Sequence, residues 1–125
     1  MKTDEAVVKQ TLEQDIPQVL DYLESELPAS GFLFGEVSIA DISIACFFRN
    51  AAFSRYAVDH TRWPRTAGFV DRTLALPCFQ QLAKFEDKMI RTPLPQQREA
   101  LAQLGAPLLA ETYGTGTPRR GIMPI

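Results

Sequence analysis

The stretch Val37-Ser38-Ile39-Ala40-Asp41-Ile42 constrains the chain more than any other, because it dictates where a helix starts and at what angle the backbone enters it. Ser38 is placed to accept from the backbone of Asp41, and the Asp41 carboxylate to reach back to the amide of Ser38, which is a capping box with Asp in place of Glu or Gln. Val37 before the cap and Ile42 after it have the spacing of a hydrophobic staple. A helix is therefore expected from Ile39 to about Phe53. Ile42, Ile44, Ala45, Cys46, Phe47, Phe48, Ala51 and Ala52 make it apolar on nearly every side, the pattern of a helix at the centre of a bundle. It is predicted to be the most buried element.

The rest of the chain reads as further helices around this one. Val8, Leu12, Ile16, Val19, Leu23 and Leu27 recur at spacings of four and three, one stripe on an amphipathic helix over residues 4–27. Thr3 is expected to cap it, with Asp4 and Glu5 facing the positive end of the helix dipole. Pro17 removes a backbone donor inside this pattern, so a kink or a split near Asp15 is expected, and the stripe that continues across it favours the kink. Pro28 and Gly31 end the helix, and the apolar Phe32-Leu33-Phe34-Gly35 loop follows. After Pro64, the residues Ala67, Val70, Leu74 and Leu76 mark a short helix. Pro77 opens another, with Phe79, Leu82, Phe85 and Met89 as its apolar face, and Thr92-Pro93-Leu94-Pro95 closes it. Gln96 to Leu104 forms a short helix stopped by Gly105, whereas Tyr113 to Gly121, with Arg119 and Arg120, is expected to be extended or mobile. No segment has the period of a strand, so the fold class is all-α, a helical bundle.

Composition narrows the function classes. With 46% apolar and 22% charged residues among 125, the chain suits one soluble domain. A net charge of −2 supplies no positive field to recruit nucleic acid or anionic lipid. The longest uncharged runs, Ala100 to Ala110 among them, are shorter than the ~18 apolar residues of a membrane span. Thr3, Asp4 and Glu5 stand where a secretory signal would be apolar, and the cytoplasm is the expected compartment. Cys46, Cys78 and His60 form no metal-ligand spacing, so no metal site is expected.

Gly35, the Ser38-Ile39-Ala40-Asp41 box, the apolar helix after it, the later Trp63-Pro64, the run Leu20-Asp21-Tyr22-Leu23-Glu24 and Pro77 together resemble the C-terminal domain of glutathione S-transferases. The resemblance covers roughly Thr3 to Met89. It implies a bundle over residues 1–91 and a tail, 92–125, that packs on the bundle or is mobile. It also implies the acceptor-substrate side of an enzyme in which glutathione is the co-substrate and its thiolate attacks an electrophile. In the family glutathione is held by an N-terminal thioredoxin-like domain. No such segment is recognised in these residues, and the family's first helix is not recognised either. The chain alone is thus expected to bind no cofactor, to need a thioredoxin-like domain as partner and to be inactive by itself. Self-association is expected through the outer face of the first helix, the Phe32-Leu33-Phe34 loop, or Leu101, Leu104, Leu108 and Leu109. Nucleic acid and membrane are not expected partners. The alternative is a stand-alone protein–protein interaction module of the same fold.

Candidate site residues follow from the same reading. Ser38 and Asp41 have the residue types of a nucleophile and a base, but capping explains both, and no catalytic residue is assigned. Asn50 and Phe53 lie by position along the capped helix where family members place acceptor-pocket residues. Val37, Ser38, Asp41 and Ile42 are structural. Cys78, just after Pro77, sits where a helix dipole lowers a thiol pKa, yet it is expected to be buried and inert, as is Cys46. His60 and the pair Arg119-Arg120 are read as surface residues.

Overall fold

The structure, a computed structural model, describes residues 4–109, and every regular element among them is helical. Thr3, the Tyr113–Gly121 stretch and Arg119-Arg120 lie outside the described residues. Asp4 is the first cap: its Oδ1 accepts from the Ala6 amide at 3.0 Å, the role expected of Thr3.

The first helix is three segments in succession. Helix α1, Glu5–Gln10, passes into a wide π turn, Thr11–Asp15, and then into α2, Ile16–Glu26. The Ile16 amide bonds to the Thr11 carbonyl, so the ladder widens just ahead of Pro17, whose missing donor falls at the new helix start. Beyond it the expected stripe runs on to Leu27, save at one position, where Leu20 rather than Val19 faces inward. Leu20 and Leu27 are buried, whereas Val19, expected in the stripe, is 57% exposed.

The remaining helices are α3, Ile39–Phe53; α4, Pro64–Leu74; α5, Pro77–Ile90; and α6, Gln97–Gln103, which follows a 3₁₀ turn at Leu94–Gln96. The chain divides into one unit up to Gln80 and a second from Gln81, a boundary that falls within α5.

In the first unit α4 packs against both α2 and α3, and the core forms around it. Thr66, Ala67, Phe69, Val70 and Thr73 of α4 are all buried. Helix α3, expected to be the most buried, buries only Asp41 and Ala45, with Phe48 half-buried and Ile42 39% exposed. The reason lies within the first unit: among its described elements only α4 packs extensively on α3, so one narrow face is covered. No residue of α5 is buried, and Leu82, placed in its apolar face, is 57% exposed.

Long-range hydrogen bonds lock the first unit. The Glu24 carboxylate of α2 accepts from the amides of Arg65 and Thr66, each at 2.9 Å, and from the Thr66 hydroxyl at 3.0 Å, capping α4 from another helix. Trp63, buried just before α4, donates its indole N–H to Asp21 at 2.7 Å. Arg72 of α4 spans the turn after α2, donating to the carbonyls of Pro28, Ala29 and Gly31 at 3.1–3.3 Å. In the second unit Gln97, Ala100 and Leu101 are buried, and the Gln97 amide donates to the Met89 and Thr92 carbonyls.

Candidate functional site

The candidate site is built on α3, so its geometry begins with what fixes the start of that helix. Ser38 and Asp41 make a capping box. The Ser38 amide donates to Asp41 Oδ2 at 2.8 Å, and the Ser38 hydroxyl donates to the same oxygen at 2.6 Å. The other carboxylate oxygen, Oδ1, accepts from the Leu33 amide at 2.9 Å, a contact beyond the box itself. Asp41 therefore holds the Phe32–Gly35 loop as well as the helix start. Gly35, at φ 89°, supplies the left-handed turn that brings the loop round to the cap. Burial raises the Asp41 carboxyl, but the bonds from the Leu33 amide and the Ser38 hydroxyl and amide outweigh it and hold its pKa below the ordinary aspartate value. A carboxylate so satisfied is a poor proton acceptor.

Around the cap, Val37 is 46% exposed and Ile42 39%, so these two staple positions border solvent rather than core. The loop and helix start carry further apolar surface: Phe34 is 78% exposed and Ile39 82%. Along α3, Ile39, Ser43, Cys46, Asn50 and Phe53 recur at helical spacing and share one face, opposite the buried Asp41 and Ala45. Phe47, 77% exposed, flanks that face. Asn50 is exposed. Phe53 is half-buried, with the Arg49 guanidinium 4.8 Å from its ring centroid. Asn50 and Phe53 thus sit together near the helix's C-terminal end, about 14 and 18 Å along the axis from Asp41 at 1.5 Å per residue.

The other chemically capable residues do not converge on this face. Cys46 and Cys78 are both exposed free thiols, contrary to the expectation of buried core positions, because neither α3 nor α5 is covered on the side that carries them. His60 lies 3.8 Å from Asp71, both well exposed, a weak surface pair. Beside it, Asp59 turns the loop by accepting from the Thr61 amide and hydroxyl at 2.8 and 2.7 Å. Among the described residues no three acidic, histidine or cysteine side chains form a metal-binding group, and every buried polar side-chain atom has a hydrogen-bond partner. The buried polar residues, Asp41, Thr66, Thr73 and Gln97, are spent on structure.

Sequence reasoning missed Glu24, Asp21 and Arg72 as determinants of this architecture. Their partners lie more than forty positions away, at separations of 41 to 44, and no local pattern announces such a pairing.

No curated protein and no solved structure matches the chain. No described helix is long and apolar enough to cross a membrane. Residues 6–72, more than half of the chain, match the family model of the glutathione S-transferase C-terminal domain, and the matched segment contains α2, the Asp41-tied loop, α3 and all but the last turn of α4. The chain belongs to the glutathione S-transferase C-terminal domain family.

Proposed function

We propose that this chain is the acceptor-substrate side of a glutathione-conjugating enzyme, in which the outer face of α3 forms the apolar wall against which the electrophile lies. The observation that carries the reading is that face itself: a helix whose start is rigidly capped presents Ile39, Phe47 and Asn50 outward, with Phe53 beside them. A rigid helix with an apolar, partly aromatic surface suits a hydrophobic electrophile. Asn50 is the polar group that orients it. Residues 1–91 act as the family domain and 92–125 as its tail.

In this reading the chain does not activate glutathione. Every described element is helical, and the family holds the peptide on a thioredoxin-like α/β domain, so that domain is the partner that completes the reaction. The cytoplasm, with its supply of glutathione, is the compartment that fits. Self-association runs through the Phe34–Ile39 corner, where Phe34, Val37 and Ile39 are all exposed within a few residues.

The test compares the chain alone with the chain joined behind a thioredoxin-like domain of the same family. Alone, it gives no saturable calorimetric signal with glutathione and no conjugation of an aryl halide. Joined, it conjugates, and Phe47→Ala or Phe53→Ala raises KM for the halide while leaving KM for glutathione unchanged. Stoichiometric glutathione binding by the chain alone overturns the division of labour. A halide KM indifferent to both substitutions overturns the α3 wall. Sedimentation of the wild type against Phe34→Ser tests the self-association corner.

A further inference from the structure

A second surface, away from the α3 wall, lies on the first helix. No residue of α1 or of the π turn is buried, yet Val7, Val8 and Leu12 are 55%, 41% and 50% exposed there, and on α2 Val19 and Tyr22 are 57% and 64% exposed. Further along the same helix, Leu20 and Leu27 are buried, and α4 packs on α2. One amphipathic helix is therefore covered at its C-terminal end and bare at its N-terminal end. Within the first unit nothing packs extensively on residues 5–15 except α2, the continuation of the same helix.

The charge around the bare surface selects what covers it. Residues 5–19 carry three carboxylates, Glu5, Glu13 and Asp15, against the single Lys9, a net charge of −2. Asp21 and Glu24 are engaged by Trp63 and by the start of α4. Glu5, Glu13 and Asp15, each within three positions of Val8 or Leu12, are exposed and have no ion-pair partner among the described residues. A second copy docking by this same face would set these carboxylates against their equivalents, which disfavours it. A helix with an apolar stripe bordered by Lys or Arg buries the valines and leucine and neutralises the acids together.

We propose that the acidic, apolar surface of residues 5–19 is a docking site for an amphipathic helix with basic flanks, supplied by a partner protein. This inference holds whether or not the chain serves conjugation, because it uses none of the α3 residues.

The test is fluorescence anisotropy of the full chain, without glutathione, against three labelled synthetic peptides of about 18 residues, a length that can become helical on a surface. The first has a leucine stripe with lysine flanks, the second the same stripe with glutamate flanks, and the third the composition of the first with the stripe scrambled. The first is expected to bind and the other two to bind at least about tenfold more weakly. Val8→Ser with Leu12→Ser weakens the first by about tenfold, and Glu13→Gln with Asp15→Asn weakens it several-fold and flattens its salt dependence. All four positions are mostly exposed or only part-covered and none is buried, and circular dichroism verifies that the variants keep their helices. Equal binding of the scrambled peptide reduces the effect to unspecific charge attraction and overturns the proposal, as does equal binding of the glutamate peptide or no binding at all. A dimer of the wild type that Leu12→Ser dissociates assigns the surface to a second copy and also overturns it.

Discussion

The Glu24 carboxylate meets Thr66 twice, accepting from its amide at 2.9 Å and its hydroxyl at 3.0 Å, and so caps helix α4 from a position 42 residues earlier in the chain. A helix start leaves backbone donors unpaired, and α4 begins with Trp63 and Pro64, neither of which supplies a side-chain oxygen to accept from them. Glu24 substitutes for the missing local cap and ties α2 to α4 by doing so. Asp41 does the same for α3 and the loop before it, joining Ser38 to Leu33 through one carboxylate.

Removing the long-range cap is therefore expected to loosen two helices at once. Glu24→Ala should destabilise the chain by about 0.5–2 kcal/mol, the range for loss of an N-cap, and Glu24→Gln by less, because the amide oxygen still accepts one bond. Urea denaturation followed by the fluorescence of Trp63, the single tryptophan, measures both. An Asp21→Asn variant serves as the comparison, since it perturbs the indole contact and leaves the cap in place.

The same two carboxylates set an acid limit. In Glu24, burial raises the pKa but the bonds from Thr66 and Arg65 outweigh it, and in Asp41 the bonds from Leu33 and Ser38 do likewise, so both folded values lie below the ordinary ones. A depressed folded pKa means that stability from these groups is fully present above the unfolded value, about 4, and is lost as pH falls through the folded value. The urea midpoint should stay level from neutral pH to about 5 and fall below about 4. The decline should be shallower in Glu24→Gln and in Asp41→Asn, each of which removes one titrating group.

Arg72 gives a test of geometry rather than charge. Its guanidinium reaches the Pro28, Ala29 and Gly31 carbonyls through three different nitrogens, a fan that one ammonium group cannot reproduce. Arg72→Lys keeps the charge and should still cost about 1 kcal/mol, with hydrogen exchange accelerating at residues 28–35 before it does in α4. Exchange that quickens uniformly would mean that the turn is held by something else.

How far the fold was legible depended on the range of each interaction. The start of α3 at Ile39 and its end at Phe53 follow from the Ser38–Asp41 box and the run of apolar residues, because capping is decided within a few positions. That the ladder is disturbed near Asp15, ahead of Pro17, was readable for the same reason, although the form it takes is a π turn in a continuous helix. The buried face of the first helix was readable in part: Leu27 of the counted stripe is buried, but the count took Val19 where its neighbour Leu20 is the one inside, because steps of three and of four from Ile16 both stay near one helix face. Burial of α3 was not readable from its composition, since Ile39 and Phe47 are exposed only because no described element covers that side. Asn50 and Phe53 could be placed by counting along a capped helix, whereas the acidic docking surface needed knowledge of which carboxylates were already engaged.

The C-terminus of α3 offers a substitution expected to stabilise. The Arg55 amide bonds to the Ala52 carbonyl and the Tyr56 amide to the Ala51 carbonyl, a Schellman closure in which Arg55 takes the left-handed position at φ 63°. Helix α6 ends the same way, with Gly105 at φ 74° and bonds from Gly105 and Ala106 to Ala102 and Leu101. Glycine occupies that conformation without the Cβ crowding that costs an ordinary residue roughly 1 kcal/mol. Arg55 is exposed, so its side chain contributes little packing in return. Arg55→Gly should accordingly raise stability by a few tenths to about 1 kcal/mol, less than the full conformational penalty because glycine also gains freedom in the unfolded chain. Arg55→Asn, which tolerates the left-handed region better than arginine, should fall between the two. A wild type more stable than both variants would show that the Arg55 side chain holds a contact worth more than the backbone strain.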